Sequence, residues 1–597
     1  MNAVPAGVGS LFTGSTRRKF VLALVGSMLA ALADAAGVLA ILPLMQVLTG
    51  TGDDSAVVRW VARRTGEPST AGLVGYLAAL VFGAFLLKGL LTIGFRWWML
   101  GFVYRQESDT SVRLLRHYLA APYPVHLRRN SAELIRTMND AVSQTYSAFV
   151  VGLVSAVTEA MTIVAVMAAL IFLMPLPALG VAIYFAVTAL IFQRLVRRRA
   201  TTAGERMVGA FVGVYTTAMH ALGGIKEIKV RNNAEHFVGD YRRARLNIAA
   251  ARRMSVFLGE LPKYVFEILF IIGIGLLTLG VFASQPSAQA LGTIALFVAG
   301  GFRVLPSLVR LMSAVNSMRV GRRALRLVLE DLREVPSAPV ELPATPADEP
   351  VRLQRVLRLE DVWFRHQGSQ LDVLQGVDIE IGVGSSVALV GESGAGKSTI
   401  VDLLLGLQRP VRGRVTVDGW DVGEDLPRWQ ATLGMVPQDV YLLDASLRAN
   451  ITFGAPLPED EERVREAVTK AQLDELVLGL PQGLETFVGE RGTRLSGGQR
   501  QRIGIARALY LRPRVLILDE ATSALDNETE RRITETIAGL QGQMTIVLVA
   551  HRLSTVRHCD QLVFLKEGKV LASGSFEEVR DASLDFARMV ALGATAG

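Results

Sequence analysis

Six apolar stretches dominate the first half of the chain, near residues 19–48, 71–100, 145–174, 176–195, 262–283 and 289–313. Each has about the 20 residues, or more, that a helix needs to cross a bilayer core. Inside a bilayer every backbone N–H and C=O must be satisfied within the chain, so stretches of this length fold as spanning helices. Several are longer than a span requires, which predicts helices that continue into the cytoplasm. The first stretch is not a cleaved leader: it is too long, and Asp34 interrupts it with no Ala-x-Ala site behind it. Apolar residues make up 50% of the 597, and charged ones only 20%; soluble domains carry about 25% charge. Mean hydropathy is +0.35. Disorder and a collagen-like chain are excluded, and the single cysteine, Cys559, excludes an intrachain disulfide. The net charge of +8 suits either nucleic acid or an anionic membrane surface; the hydropathy favours the membrane, with no nucleic-acid partner.

Lys and Arg in the connections set orientation. Arg17, Arg18 and Lys19 precede the first stretch. Arg105, Arg113, Arg116, Arg128, Arg129 and Arg136 follow the second, and RLVRRRA with a further basic run follows the fourth. The connections MPLP and ASQPSA carry no charge. Both termini are therefore expected in the cytoplasm, with two long cytoplasmic excursions, in a multi-pass protein of the cell's inner (plasma) membrane. The first outer connection fits less well: Arg59, Arg63 and Arg64 are only partly offset by Asp53, Asp54 and Glu67. Val57, Trp60 and Val61 there have helical spacing, which suits a short interfacial amphipathic helix or an ordinary loop.

From about residue 355 the pattern changes to short β-branched runs between helical segments, as in a soluble α/β protein. Between the halves lies VPSAPVELPATPADEP, residues 335–350, a Pro- and Ala-rich linker without periodicity. The fold class read from this is a polytopic α-helical membrane domain of six helices, residues 1–334, a linker 335–354, and an α/β P-loop domain, residues 355–597.

The P-loop assignment rests on SVALVGESGAGKSTIVDLLLGL. An apolar strand precedes Gly391, Glu392, Ser393, Gly394, Ala395, Gly396, Lys397, Ser398 and Thr399, and a helical pattern follows. Glycines let backbone N–H groups crowd a phosphate, and the helix N-terminus favours an anion. Lys397 reaches toward β/γ-phosphates, and Ser398 is suited to ligate Mg²⁺. ATP and Mg²⁺ are the implied cofactors. Further on, Val515 to Leu518 form an all-apolar strand, suited to a parallel sheet buried on both faces, that ends in Asp519 and Glu520. Acids at that end sit where open α/β sheets bind ligands. Asp519 is suited to hold the metal, and Glu520 to orient and deprotonate an attacking water.

Between these motifs stands Leu495-Ser496-Gly497-Gly498-Gln499, and here the chain resembles the ATP-binding cassette (ABC) transporters over nearly its whole length. Gln438 in MVPQDVYLLD resembles the family's Q-loop, and Thr486 to Gly492 resemble a stretch typical of its exporters. Ser523 to Asp526 resemble the D-loop, and His551 in VAHRLST the switch histidine. The resemblance makes Glu520, His551 and Gln438 catalytic and adds Gln438 to the metal ligands. It places Ser496, Gly497, Gly498 and Gln499 on a phosphate bound by the other cassette of a pair. One departure concerns adenine. The family's stacking aromatic falls on His366, while Trp363 and Phe364 are expected to face the sheet core. One cassette and six helices imply a half-transporter that must dimerise, and the intact motifs imply a homodimer. Residues 122–140 and 219–237 resemble the coupling segments of exporters. No cysteine precedes the first stretch, so no leader-cleaving cysteine peptidase is expected.

Ionisable groups inside spans are functional candidates. At about 1.5 Å per residue, Lys88 and Arg303 lie roughly 20 Å below the outer boundary and Lys263 roughly 30 Å below it. They suit a clasp for an anionic headgroup or, with Asp34, Glu159 and Glu267 at similar levels, structural ion pairs. ILPLMQ, Ile41 to Gln46, at the end of the first stretch, FRVLPS in the sixth and the phrase from Tyr123 to Glu133 resemble bacterial flippases of lipid-linked oligosaccharides. That resemblance implies an ATP-driven exporter or flippase of an amphipathic, lipid-linked substrate in the bilayer. A hydrophobic natural product or peptide is the alternative cargo. A soluble-type ABC ATPase acting on nucleic acid is the remote alternative class.

Overall fold

The structure is a computed structural model that describes residues 8–12, 14–39, 47, 56–64, 70–173, 175–284, 287–333, 351–455, 460–520, 527–550 and 556–594. The chain divides into two compact units, Met1–Ala121 with Val125–Val340, and Pro122–Pro124 with Glu341–Gly597. The linker 335–350, the D-loop match, His551 and the ILPLMQ phrase lie outside the described residues.

Six helices carry the first unit: α1 (Gly14–Leu39), α2 (Thr70–Ala120), α3 (Val151–Leu173), α4 (Pro175–Gly223), α5 (Ala234–Ser284) and α6 (Ser287–Arg333). Among the described residues, four helices are long and apolar enough to cross a membrane, over 71–120, 131–168, 178–223 and 234–279. The first and sixth apolar stretches fall in α1 and α6. Helices α2, α4, α5 and α6 have 51, 49, 51 and 47 residues, about 70–77 Å at the standard rise. A core of roughly 30 Å accounts for less than half of that length, so the expected extensions beyond the spans are present.

Two apolar cores hold these helices together. One joins Ala23, Met99, Phe102, Tyr146, Phe149, Val154 and Leu325 from α1, α2, the start of the third span and the end of α6. The other joins Val166, Phe185, Phe192, Phe266, Phe270 and Val304 from α3 to α6. Proline interrupts α5 at Pro262 and α6 at Pro306. Pro262 has no N–H for the carbonyl of Leu258 one turn earlier. The Asn316 amide of α6 donates to that carbonyl instead, at 2.9 Å. The neighbouring Gly259 carbonyl accepts from Ser313 Oγ at 2.6 Å.

The connection between α1 and α2 contains a helix, Ala56–Arg64. Val58 and Val61 are its buried face, against Leu77. Trp60 points away and is 59% exposed, so the apolar face is offset by one residue from the expected one; the Val57 side chain is outside those described. The segments expected to couple are helical at Tyr123–Arg128, Ser131–Arg136 and Ile225–Arg231.

The second unit carries two sheets. Strands β1 (Val356–Phe364), β2 (Leu374–Gly382), β4 (Arg412–Val417) and β5 (Trp420–Asp421) form one, in the order β2-β1-β4-β5. The other contains β3 (Ser386–Gly391), β6 (Leu433–Val436), β7 (Val515–Asp519), β8 (Thr545–Val549), β9 (Gln561–Lys566) and β10 (Lys569–Gly574). Its order is β10-β9-β3-β8-β7-β6, parallel from β9 to β6. Strands β3 and β8 are buried at every residue, as sheets covered on both faces require.

Trp363 departs from its expected place. Adjacent strand residues face opposite sides; Phe364 takes the core side, 3% exposed. Trp363 takes the other, where its indole N–H donates to Asp361 Oδ1 at 2.8 Å and Arg412 lies 5.9 Å from its ring.

Candidate functional site

The loop from β3 into α7 (Lys397–Leu404) and the end of β7 open onto one cavity of about 270 Å³. Its lining includes His366, Val373, Ser393, Gly394, Gly396, Lys397, Ser398, Thr399 and Glu520. Strand order produces this meeting. β8 alone separates β3 from β7, and parallel strands bring both C-terminal ends to the same edge. Gly396 sits at φ 102°, where a Cβ would also collide with Leu374, 2.6 Å away. Glycine is needed there on both counts.

Lys397 is 5% exposed. Its ammonium donates to the carbonyls of Gly391 at 2.8 Å and Glu392 at 3.0 Å, tying the loop around itself. Burial lowers its pKa, and the nearby charges of Glu520 and Asp519 oppose that shift. A buried cation with two acceptors and an open cavity in front of it is suited to polyanionic phosphate. Gly391, Glu392 and Ala395 shape the loop without lining the cavity; Ala395 is 4% exposed, and its N–H closes the turn onto Glu392 O at 3.1 Å.

Glu520 has a left-handed backbone, φ 49°, and its N–H donates to Val549 O at 3.2 Å. Gln438, two residues beyond β6, donates its amide Nε2 to Glu520 Oε2 at 2.7 Å. This leaves the Gln438 amide oxygen as an acceptor. With the Ser398 hydroxyl and the Asp519 carboxylate it makes a set of hard oxygen donors, the chemistry Mg²⁺ prefers when phosphates and water complete its shell.

His366 is exposed and lines the cavity, its ring edge-on to Phe364 at 5.0 Å. Ser496, Gly497, Gly498 and Gln499 are not among the residues lining it. They open α8 (Gly497–Tyr510) with a capping box. The Ser496 N–H donates to Gln499 Oε1 at 2.8 Å, and Ser496 Oγ accepts from Gln499 N at 3.2 Å. Sequence reasoning missed Val373, whose run LDVLQGV carries no signal. It also missed Gln501, buried at 9% exposure on α8. That one was legible: Gln501, Ile505 and Ala508 share one helix face, and a glutamine in an apolar stripe needs a hydrogen-bond partner.

In the first unit a second cavity, about 500 Å³, lies between α5 and α6. Lys263, Glu267 and Arg310 line it together with Phe270, Phe302, Leu305 and other apolar residues. Among the described side chains, Glu159 pairs with Arg310. Its carboxylate receives Arg310 in a two-point contact, Nε to Oε1 at 2.6 Å and Nη2 to Oε2 at 3.0 Å. Lys88 lies 5.3 Å from the Phe85 ring centre and Lys263 5.7 Å from that of Tyr264. The side chains of Arg303 and Asp34 are outside those described.

Two family models match the chain: the ABC transporter transmembrane region over residues 20–305 and the ABC transporter cassette over 374–523. An ATP-dependent lipid A-core flippase of Cupriavidus pinatubonensis is 30% identical over 85% of this chain and 86% of its own. The mycobactin import ATP-binding/permease protein IrtB of Mycobacterium bovis is 31% identical over 93% and 92%. A solved bacterial Atm1-family ABC exporter with ATP bound superposes with a TM-score of 0.76 at 25% identity, covering 98% and 99% of the two chains. The chain belongs to the ABC transporters. It has their half-transporter organisation, a helical membrane domain followed by an ATP-hydrolysing cassette, and is a multi-pass membrane protein. The transmembrane match displaces the soluble nucleic-acid reading.

Proposed function

We propose that two copies of this chain form an ATP-driven flippase of an amphipathic lipid with an anionic headgroup, a lipid-linked glycan being the leading class of cargo. Residues 1–334 act as the membrane domain, 335–354 as linker and 355–597 as cassette, cytoplasmic at the inner membrane with both termini. Each ATP is held by residues 391–399 of one copy and by Ser496, Gly497, Gly498 and Gln499 of the other, with His366 against the adenine. Ser398, Gln438 and Asp519 would hold Mg²⁺, which would supply positive charge against the phosphates. Glu520 takes the proton of the attacking water, and His551 contacts the terminal phosphate. The observation that supports the catalytic part is the meeting of buried Lys397 with Glu520 at one cavity.

The cargo assignment is supported by the α5–α6 cavity, whose wall is largely apolar but carries Lys263 and Arg310 beside Glu267, with Arg310 held by Glu159. Such a wall suits a molecule with acyl or polyprenyl chains and a charged head. Lys88 and Arg303 are assigned to the same clasp. The flippase relative supports a lipid; the mycobactin import protein, by its name, supports a different cargo and the opposite direction. The test is purified protein in liposomes, with ATP hydrolysis and sided flipping measured for a polyprenyl-pyrophosphate glycan, a lipid A-type lipid and an apolar peptide. Stimulation by an anionic lipid and its appearance in the leaflet facing away from the cassettes support the proposal. Stimulation by the peptide alone, or movement toward the cassettes, overturns it.

A further inference from the structure

Behind the general base lies a chain of contacts that the ATP site itself does not require. Gln501, on α8, donates its amide Nε2 to the Gln438 backbone carbonyl at 2.8 Å. Gln438 in turn donates to Glu520 Oε2 at 2.7 Å. Helix α8 can approach this closely because Gly504 faces Val440 and Val436; a Cβ there would stand 2.7 Å from Val440 Cγ2. Gln501 stands five residues beyond Ser496, about 7.5 Å along the helix axis. Helix α8 runs unbroken for 14 residues and is capped at its start, so a displacement at Ser496 is carried along it.

We propose that Gln501 is a positioning residue that links the signature helix of a subunit to that subunit's own general base. The proposal rests on the reading above, in which Ser496 to Gln499 meet the ATP held by the other copy. When they engage that ATP, α8 moves, the Gln501 bond carries Gln438 with it, and the Gln438 grip on Glu520 is re-aimed. Occupancy of one site thereby sets the state of the base at the other. The two sites of the dimer become cooperative through Gln501, with no contact between Gln501 and nucleotide.

The test uses the full-length protein in lipid nanodiscs, with ATP hydrolysis against ATP concentration and nucleotide affinity from a fluorescent ATP analogue. Gln501→Leu keeps an apolar body in the helix face but is one atom shorter and loses the donor. Gln501→His returns an N–H at similar reach. The leucine variant is expected to bind nucleotide within twofold of the parent. Its kcat should fall roughly tenfold to a hundredfold, the size of a misplacement effect, and its Hill coefficient should drop toward one. The histidine variant should recover both. A purely structural role predicts instead a lowered melting temperature with an unchanged Hill coefficient. That pattern overturns the proposal, as does a leucine variant with parental kcat and cooperativity. If Gln501→Leu does not fold, Gln501→Met, which has the length of glutamine and no donor, replaces it: a stable, non-cooperative variant supports the link, and a stable variant with parental kcat and cooperativity refutes it. Failure of the underlying reading shows differently, as a parent protein that is monomeric or whose hydrolysis is independent of Glu520.

Discussion

Asn316→Ala, made with and without Pro262→Ala, measures what the interhelical bond to the Leu258 carbonyl is worth. Asn316 and Leu258 are each 1% exposed, so water does not replace a lost partner there. A buried carbonyl left unsatisfied costs about 1–3 kcal/mol. Asn316→Ala alone also deletes a side-chain oxygen, Oδ1, that has no partner among the described residues, and this offsets part of the loss. The single mutant therefore does not isolate the bond, but the cycle does. Pro262→Ala restores an N–H one turn after Leu258, which lets α5 satisfy its own carbonyl. Asn316→Ala should then cost less in the Pro262→Ala background by about 1–3 kcal/mol. At roughly 2–4 °C per kcal/mol for a large domain, the difference between backgrounds is on the order of 2–12 °C in apparent melting temperature in detergent. Equal costs in the two backgrounds, within about 0.5 kcal/mol, would refute the idea that Asn316 substitutes for the missing N–H.

Glu520→Gln should retain ATP binding and lose about 10²–10⁴-fold in turnover, or about 2.7–5.4 kcal/mol of barrier; phosphate release within tenfold of the parent contradicts its role as base. Burial, reinforced by the Asp560 charge, pushes the Cys559 thiol from 9.0 up to about 12. At pH 8 its alkylation in the folded protein should be about a thousandfold slower than in denaturant, because the thiolate reacts. The sign for stability follows: the unfolded chain loses this proton first, so stability falls as pH rises above 9.0 toward about 12, and Cys559→Ser should flatten that fall. Asp418 accepts backbone N–H bonds from Gln354, Arg355 and Val356 at 2.8, 3.0 and 2.8 Å. Desolvation raises its pKa, but those three bonds outweigh it and leave it below 3.8. Its stabilisation is therefore present above pH 3.8 and lost as pH falls through the lower folded value. Asp418→Ala should lower the melting temperature of the protein at pH 7, with the gap to the parent closing in acid; a gap independent of pH counts against the carboxylate.

The features legible in the amino-acid order were those whose physics is local. A bilayer forces a helix on any apolar run of sufficient length, so the spanning segments needed no knowledge of their neighbours. The phosphate loop was equally readable, since strand, glycines, lysine and helix follow one another within a few residues of chain. Lys397, Ser398 and Glu520 accordingly came together as their motifs implied. Tertiary structure decided the pairings between distant residues. Glu159 found Arg310 across 151 positions, where charge and depth alone had suggested Lys88, Lys263 or Arg303. Gln438 reached Glu520 across 82 positions, and Gln501 reached Gln438 across 63. The face taken by Trp363, and the choice of Asn316 to serve the carbonyl that Pro262 leaves open, were set the same way. Periodicity establishes which residues share a face of a helix or strand. It does not fix how that element is rotated or shifted against the next, and a hydrogen bond about 3 Å long exists or fails on that rotation.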